Sequence, residues 1–235
     1  MNSGKNWLKT IRQKWLPPRC ILCEAPGFDN LDLCVDCFAD LPRNIDCCYR
    51  CGESFAIASV SPQLCGRCLQ KTPNFDDTHA PFLYQGNVRY LIARLKFGKQ
   101  YKNARLLGGL LADHIGKTAE LPDCLLPVPL HVKRYRQRGF NQSIEIARQL
   151  AKQLAVPLDL HSCIRNRDTL QQTSLPAEQR QKNLRKAFSV VKPLAYQHVA
   201  IIDDVMTTGA TASALALALK QGGVGRVDVW VCARA

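Results

Sequence analysis

The chain has 235 residues, of which 46% are hydrophobic, and 32 Lys and Arg stand against 19 Asp and Glu for a formal net charge of +13. This composition supports a folded core and excludes wholesale disorder. No run of about 18 apolar residues occurs, so the sequence predicts no membrane-spanning helix. The positive charge favours a polyanionic partner: nucleic acid, a phosphorylated metabolite or an acidic membrane surface.

Residues 1–19 form a basic N-terminal segment in which Trp7, Leu8, Ile11 and Trp15 recur near helical spacing. The spacing predicts an amphipathic helix, which either packs on the protein itself or lies on a membrane surface. Ordinary helix amphipathicity favours the first alternative. The segment lacks the continuous apolar run of a secretory signal, so we expect a cytoplasmic protein.

Nine of the twelve cysteines lie between Cys20 and Cys68, mainly in Cys-x-x-Cys pairs. Without a sign of export, paired cysteines favour metal over disulfides, and structural zinc over an iron–sulfur cluster. Four thiolates fill a tetrahedral zinc site and leave no position for a reacting water. We therefore predict a module over residues 20–72 with two structural zinc sites, whose ligands are Cys20, Cys23, Cys34 and Cys37, and Cys48, Cys51, Cys65 and Cys68.

The pairing of these cysteines is open on sequence grounds. Sequential pairing closes the shorter loops and is the arrangement we expect, but an interleaved cross-brace uses the same residues. Cys47 adjoins Cys48 and competes with it as a ligand. The module either contacts nucleic acid or protein, or serves only to hold together a segment too small for its own core.

From residue 73 onward the pattern changes to alternating helix and strand signals. Apolar runs predict strands, and caps with helical periodicity predict the helices between them. Strands that alternate with helices imply a parallel sheet with right-handed crossovers over residues 73–235. The predicted helices are 88–111, 141–154 and 210–221, and the predicted strands are 123–130, 198–202 and 226–232.

The most specific stretch is Val199–Thr211, with the sequence VAIIDDVMTTGAT. Four apolar residues form a buried strand, and Asp203 and Asp204 stand at its carboxyl end, where open α/β sheets place ligands. The loop from Thr207 to Thr211, which contains Gly209, leads into a helix. Backbone N–H groups in such a loop close on an anion at the positive end of the helix. The alternative is a plain strand–turn–helix with an acidic turn.

This stretch resembles the signature of type I phosphoribosyltransferases that binds phosphoribosyl pyrophosphate (PRPP). The resemblance implies that Asp203 and Asp204 hold the ribose hydroxyls. It also implies a 5′-phosphate site, formed by Thr207, Thr208, Gly209, Ala210 and Thr211, and Mg²⁺ bound together with PRPP. Upstream, residues 126–131 resemble the short pyrophosphate loop of that fold. Basic side chains suit a doubly charged leaving group, and the candidates are His131, Lys133, Arg134 and Arg138.

From about Cys20 to its end, the chain resembles the ComF/GntX family. Besides the cysteine sets and the PRPP signature, the matching pieces include Lys96–Gly98, Pro127–Leu130, Arg138–Gln142, Arg167–Thr169 and Asn183–Arg185. The resemblance implies an α/β fold: a type I phosphoribosyltransferase-like parallel sheet with helices on both faces, preceded by a small cysteine-rich double zinc-ribbon module. It also implies a competence or DNA-utilisation role, with single-stranded DNA, PRPP or a nucleotide-like ligand, and proteins of the DNA-uptake machinery as partners.

Three functional hypotheses follow. The protein handles incoming single-stranded DNA, transfers phosphoribose to a base or amine, or senses PRPP and contacts partners through its zinc module. Half of all Lys and Arg fall within 89–105, 133–138 and 165–186, which favours DNA. The long polar segment 165–187 lies where such enzymes carry a closing loop. Single-strand binders also stack bases on aromatic rings, but we expect most aromatic residues near these clusters to belong to the core; they are Phe82, Tyr84, Tyr90, Phe97, Tyr101, Tyr135 and Phe140.

Overall fold

The computed structural model describes residues 17–57, 63–166 and 187–235. Most of the basic N-terminal segment and of the polar segment 165–187 lies outside the described residues. The helices are α1 (Val35–Ala39), α2 (Gly66–Gln70), α3 (Gly86–Gly98), α4 (Tyr101–Thr118), α5 (Val132–Arg138), α6 (Gln142–Leu154) and α7 (Ala210–Gln221). The strands are β1 (Asp77–His79), β2 (Phe82–Leu83), β3 (Cys124–Pro127), β4 (Cys163–Arg165), β5 (Phe188–Val190), β6 (His198–Met206) and β7 (Arg226–Arg234).

The main sheet is parallel throughout. Its strand order is β1-β7-β6-β3, and β2 follows β1 along the outer side of β7. The central pair β6 and β7 runs in register from His198 opposite Arg226 to Met206 opposite Arg234. Since all five strands point the same way, their carboxyl ends share one edge of the sheet. Strands β4 and β5 form a separate antiparallel pair.

Helices cover both faces of this sheet. Ala200 and Ile202 pack in one buried cluster with residues of α3, α4 and α6, whereas Val199 and Ile201 pack in a second cluster with residues of α7. This is the period-2 alternation of a strand buried on both sides. The predicted class, a phosphoribosyltransferase-like parallel sheet behind a double zinc-ribbon module, is confirmed in its parallel strands, its flanking helices and its two cysteine groups.

Three predicted elements differ in extent by more than two residues. The strand predicted over 198–202 continues through both carboxylates, so that β6 spans His198–Met206. The helical pattern 88–111 is two helices, because Lys99 adopts φ +52° directly after Gly98 and ends α3 before α4 begins at Tyr101. The strand 123–130 is only β3, Cys124–Pro127, since prolines remove the backbone donors that would extend it. No helix within the described ranges is long and apolar enough to cross a membrane.

The cysteine-rich module lies along the outer edge of the sheet. The backbone N–H of Thr78 in β1 donates to the carbonyl of Tyr49 (2.9 Å), and that of Leu83 in β2 donates to the carbonyl of Pro42 (2.8 Å). An open strand edge is a site for unwanted pairing with other chains. The module therefore protects the β1–β2 edge as well as holding its own cysteines.

Arg234, at the end of β7, joins the second cysteine group to the sheet. This arginine is buried, and its Nε donates to the carbonyl of Cys51 (3.1 Å) while an Nη donates to the carbonyl of Met206 (3.3 Å). Its other Nη pairs with the carboxylate of Glu53. A buried guanidinium that binds several acceptors fixes their relative positions, here those of Cys51, Glu53 and Met206.

Candidate functional site

The eight predicted zinc ligands form two groups of four thiols. The sulfurs lie within 4.8 Å of one another in each group, and the groups are the sequential ones: Cys20, Cys23, Cys34 and Cys37, and Cys48, Cys51, Cys65 and Cys68. Sulfur–sulfur distances of 3.6 Å for Cys23–Cys34 and for Cys51–Cys65 fit the edge of a tetrahedron with Zn–S of about 2.3 Å, which is about 3.8 Å long. The donor set suits structural zinc, and Cys47 is not in either group.

Local backbone geometry builds the second group. The N–H of Gly52 donates to the carbonyl of Cys48 (2.7 Å), closing the turn between Cys48 and Cys51. Gly52 has φ +68°, and a Cβ there would lie 3.2 Å from Cγ2 of Thr78. Only glycine meets both requirements, a left-handed backbone and close approach to β1.

The two predicted carboxylates lie at the carboxyl end of β6 and are held by different helices. Asp204 is buried, and its Oδ2 lies 2.5 Å from Nζ of Lys96 on α3. Asp203 is partly exposed, and its Oδ1 accepts a hydrogen bond from Oγ of Ser143 on α6 (2.8 Å). Asn141 caps α6 and donates to the carbonyl of Val128, which ties that helix to the loop after β3.

These carboxylates influence each other's ionisation. Burial raises the pKa of Asp203 to about 7, and the negative charge of Asp204 adds to the rise, while the Ser143 hydrogen bond and the Lys96 charge oppose it. Burial lowers the pKa of the Arg138 guanidinium, and both carboxylates act against that lowering. Lys96 and Arg138 therefore supply the positive charge that makes two adjacent carboxylates tolerable here.

The loop after β6 leads into α7 through two threonines and a glycine. Thr207 and Thr208 are exposed, and Oγ1 of Thr208 accepts from the N–H of Ala210 (3.3 Å), the first residue of α7. Gly209 has φ +75°, and a Cβ there would lie 3.4 Å from Cζ of Phe75. The loop thus presents threonine hydroxyls at the positive end of a helix, immediately beside the acidic pair.

Among the four pyrophosphate-loop candidates, Arg138 is close enough to the acidic pair for both carboxylates to raise the pKa of its guanidinium against the lowering by burial. His131 caps α5, where its Nδ1 accepts from the N–H of Lys133 (3.3 Å), and the side chain of Lys133 is exposed. Arg134 lies close enough to Arg138 for its charge to lower the pKa of that guanidinium. His131 and Lys133 thus stand at the start of α5, which ends at Arg138.

Sequence reasoning did not assign the residues that hold the carboxylates. The candidate site residues do not include Lys96, Gln142 and Ser143. Two of these, Lys96 and Gln142, lie in motifs that support the family resemblance. Gln142 accepts a hydrogen bond from Arg138 and fixes its guanidinium. One general signal is present in the sequence: two adjacent buried carboxylates require a buried or half-buried cation, although the sequence does not identify which one.

The structure thus joins a cysteine-rich module with two four-thiol groups to a parallel α/β domain that carries an acidic pair near the carboxyl end of its central strand. Residues 13–72 match the double zinc ribbon domain. The chain is 33% identical over 225 residues to the DNA utilization protein YhgH of Salmonella typhimurium, covering 93% of this chain and 98% of that protein. It is 33% identical over 227 residues to Competence protein F of Haemophilus influenzae, covering 92% and 97%. The chain belongs to this family of DNA utilization and competence proteins.

Two solved structures are similar to part of the chain. One is the glutamine PRPP amidotransferase from B. subtilis, with 23% identity and a TM-score of 0.38 over 55% of this chain. The other is an allosteric regulatory enzyme of purine biosynthesis, with 23% identity and a TM-score of 0.37 over 55% of this chain. The chain spans 25% of each of these two proteins.

Metal analysis tests the two four-thiol groups. We expect about two zinc ions per chain in protein purified without added metal, one for each group. Cys48→Ser should reduce the content to about one, because three thiols leave the second site incomplete, whereas the neighbouring Cys47→Ser should retain both ions. Iron in the protein, or loss of zinc in Cys47→Ser, would contradict the assignment.

Urea unfolding tests the ion pair between Lys96 and Asp204. Lys96→Met should lower the free energy of unfolding by about 2 kcal/mol, less than for a fully buried pair because the lysine is partly exposed. Adding Asp204→Asn in the same chain should restore most of the loss, since the buried charge is then gone. If the two substitutions destabilise additively, the residues are not coupled in this way.

Proposed function

We propose that this protein acts in the cytoplasm in the uptake or utilisation of DNA, with PRPP or a nucleotide-like ligand at the acidic pair and single-stranded DNA on its basic surface. The observation that carries the proposal is the carboxylate pair Asp203 and Asp204, neutralised by Lys96 and followed at once by an anion loop. The names of the relatives, a DNA utilization protein and a competence protein, support the DNA part.

In this proposal each part of the ligand meets matching chemistry. The carboxylates accept hydrogen bonds from ribose hydroxyls, which donate. The loop Thr207–Thr211 takes the 5′-phosphate through backbone N–H and threonine hydroxyl groups. Carboxylate oxygens are also ligands that Mg²⁺ accepts, so Asp203 suits the magnesium that accompanies PRPP, and Mg²⁺ would neutralise charge on the pyrophosphate.

Phosphoribosyl transfer to a base or amine is a second candidate function, and one observation favours it. Arg138 lies within electrostatic reach of both carboxylates, and a guanidinium in this position would stabilise the charge that develops on a leaving pyrophosphate. Release of pyrophosphate in the presence of an acceptor would support transfer. Tight PRPP binding without release would support a sensing role, with the zinc module available to partner proteins.

The case for single-stranded DNA rests on charge as well as on the relatives. Six Lys and Arg fall within 89–105 and four within 133–138, and both segments are described by the structure. Of these ten cations, Lys96 and Arg105 pair with Asp204 and Asp32. The two segments adjoin through Arg138 and Phe97, which places the remaining positive charge next to the ligand site. Phosphate neutralisation by such a surface gives weakly specific binding that falls with salt.

Titration calorimetry with PRPP and Mg²⁺ tests the ligand site. Replacing both Asp203 and Asp204 by Asn should weaken binding by about tenfold to 100-fold, because hydrogen bonds to charged acceptors are each worth about 1.5–3 kcal/mol. The matched control is Asp113→Asn, which removes an exposed carboxylate on α4 and should bind as the unmodified protein does. Equal affinity in the double variant would contradict the role of the acidic pair.

Fluorescence anisotropy with a labelled oligothymidine tests DNA binding. Affinity should fall steeply as salt rises, with a slope of about −3 in log affinity against log salt if four or more phosphates are neutralised. A flat salt response would show that the positive charge is not used for nucleic acid.

A further inference from the structure

Four aromatic side chains among the basic residues are exposed, contrary to the expectation that most of this set belongs to the core. Phe82 and Phe140 are indeed buried, but the Phe97 side chain is 80% exposed. Large aromatic rings in water are unusual and mark contact surfaces. These rings and the cations beside them form what we call the aromatic–basic surface, whose three tyrosines are about half exposed. Its residues are Tyr90, Arg94, Phe97, Lys99, Tyr101, Tyr135 and Arg138.

On this surface, rings and guanidinium groups come in pairs. Cζ of Arg94 lies 6.0 Å from the ring centroid of Tyr90, and Cζ of Arg138 lies 5.9 Å from that of Phe97. Tyr90, Arg94 and Phe97 are spaced i, i+4, i+7 on α3, so they lie along one face of the helix. Tyr101 begins α4, and its ring centroid lies 4.9 Å from that of the buried Phe140.

The surface is continuous from α3 to α5 and reaches the acidic pair. Besides the Arg138–Phe97 contact, Nζ of Lys99 lies 3.8 Å from the position of a Cβ on Gly139, so the ends of α3 and α5 adjoin. Lys96, one residue before Phe97, holds Asp204. A strand lying on these rings would therefore run past the proposed PRPP site.

We propose that the aromatic–basic surface binds single-stranded DNA by stacking bases on Tyr90, Phe97, Tyr101 and Tyr135, while the neighbouring arginines and Lys99 neutralise phosphates. This rests on the proposed function, and it specifies where and how the strand binds. A nucleotide offers a flat base, which stacks on an aromatic ring, and a phosphate, which a neighbouring cation neutralises. Tyr90 and Phe97 are about 10 Å apart along the helix axis, about three nucleotides at a stacked rise of 3.4 Å. Duplex DNA does not fit, because its bases are already stacked on each other.

The test uses two labelled strands of equal length, an oligothymidine and an abasic strand with the same number of phosphates. Anisotropy is measured for the full-length protein, for Phe97→Ala and for Phe97→Trp. The control is Leu69→Ala, which removes a side chain that is 70% exposed on α2, away from the surface. The abasic strand measures the electrostatic part of binding alone, so it separates stacking from charge.

We expect Phe97→Ala to bind oligothymidine roughly fivefold to 100-fold more weakly, the range for one base–aromatic stack, and to bind the abasic strand unchanged. Phe97→Trp and Leu69→Ala should bind both strands as the unmodified protein does. An equal effect of Phe97→Ala on both strands, or no effect on either, would overturn the stacking proposal while DNA binding itself stands. If the unmodified protein binds neither strand, the DNA part of the proposed function fails too, and a protein partner becomes the occupant of this surface.

Discussion

The central strand β6 imposes the constraint on which the rest of the α/β domain depends. It is hydrogen-bonded on both edges, covered on both faces, and carries two adjacent carboxylates near its carboxyl end, the second of them two residues before Met206. These carboxylates can be buried with the strand only if other groups pair with them, since an unpaired buried charge costs several kcal/mol. Lys96 from α3, Ser143 from α6 and Arg138 from α5 provide it. The positions of three helices relative to the sheet are thus set by the charges at the end of one strand.

The zinc module is part of this architecture and not a separate appendage. Cys20 and Cys34 belong to the buried cluster on one face of the sheet, and Cys48 and Cys51 belong to the cluster on the other. A segment of this size cannot bury enough apolar surface to fold alone, so it is stabilised by metal and by packing against the two buried clusters of the sheet. This explains why the module follows the sheet edge, and why the last strand ends in a buried arginine that binds it.

Sequence reasoning succeeded where one local pattern determines the outcome. Apolar runs identified β6 and β7, Asn141 identified the start of α6, and Cys-x-x-Cys spacing identified both four-thiol groups. It failed where the outcome depends on tertiary neighbours. Which cation meets Asp204 depends on how α3 crosses the sheet, and nothing near Asp204 in the sequence encodes that. The exposure of Phe97 has the same origin: its helix ends one residue later and the chain turns into α4.

The chemistry of the two proposed ligands keeps them on different parts of this edge of the protein. PRPP offers free ribose hydroxyls, which carboxylates recognise, whereas the internal sugars of a DNA strand have none to donate. Strand phosphates are also repelled by Asp203 and Asp204 except where Lys96 and Arg138 intervene. In the proposed function, a strand is therefore held by rings and cations on the aromatic–basic surface, and the acidic pair takes a small phosphorylated sugar beside it. Arg138 lies near Phe97 and within electrostatic reach of the carboxylates, so occupation of one site would change the electrostatic environment of the other.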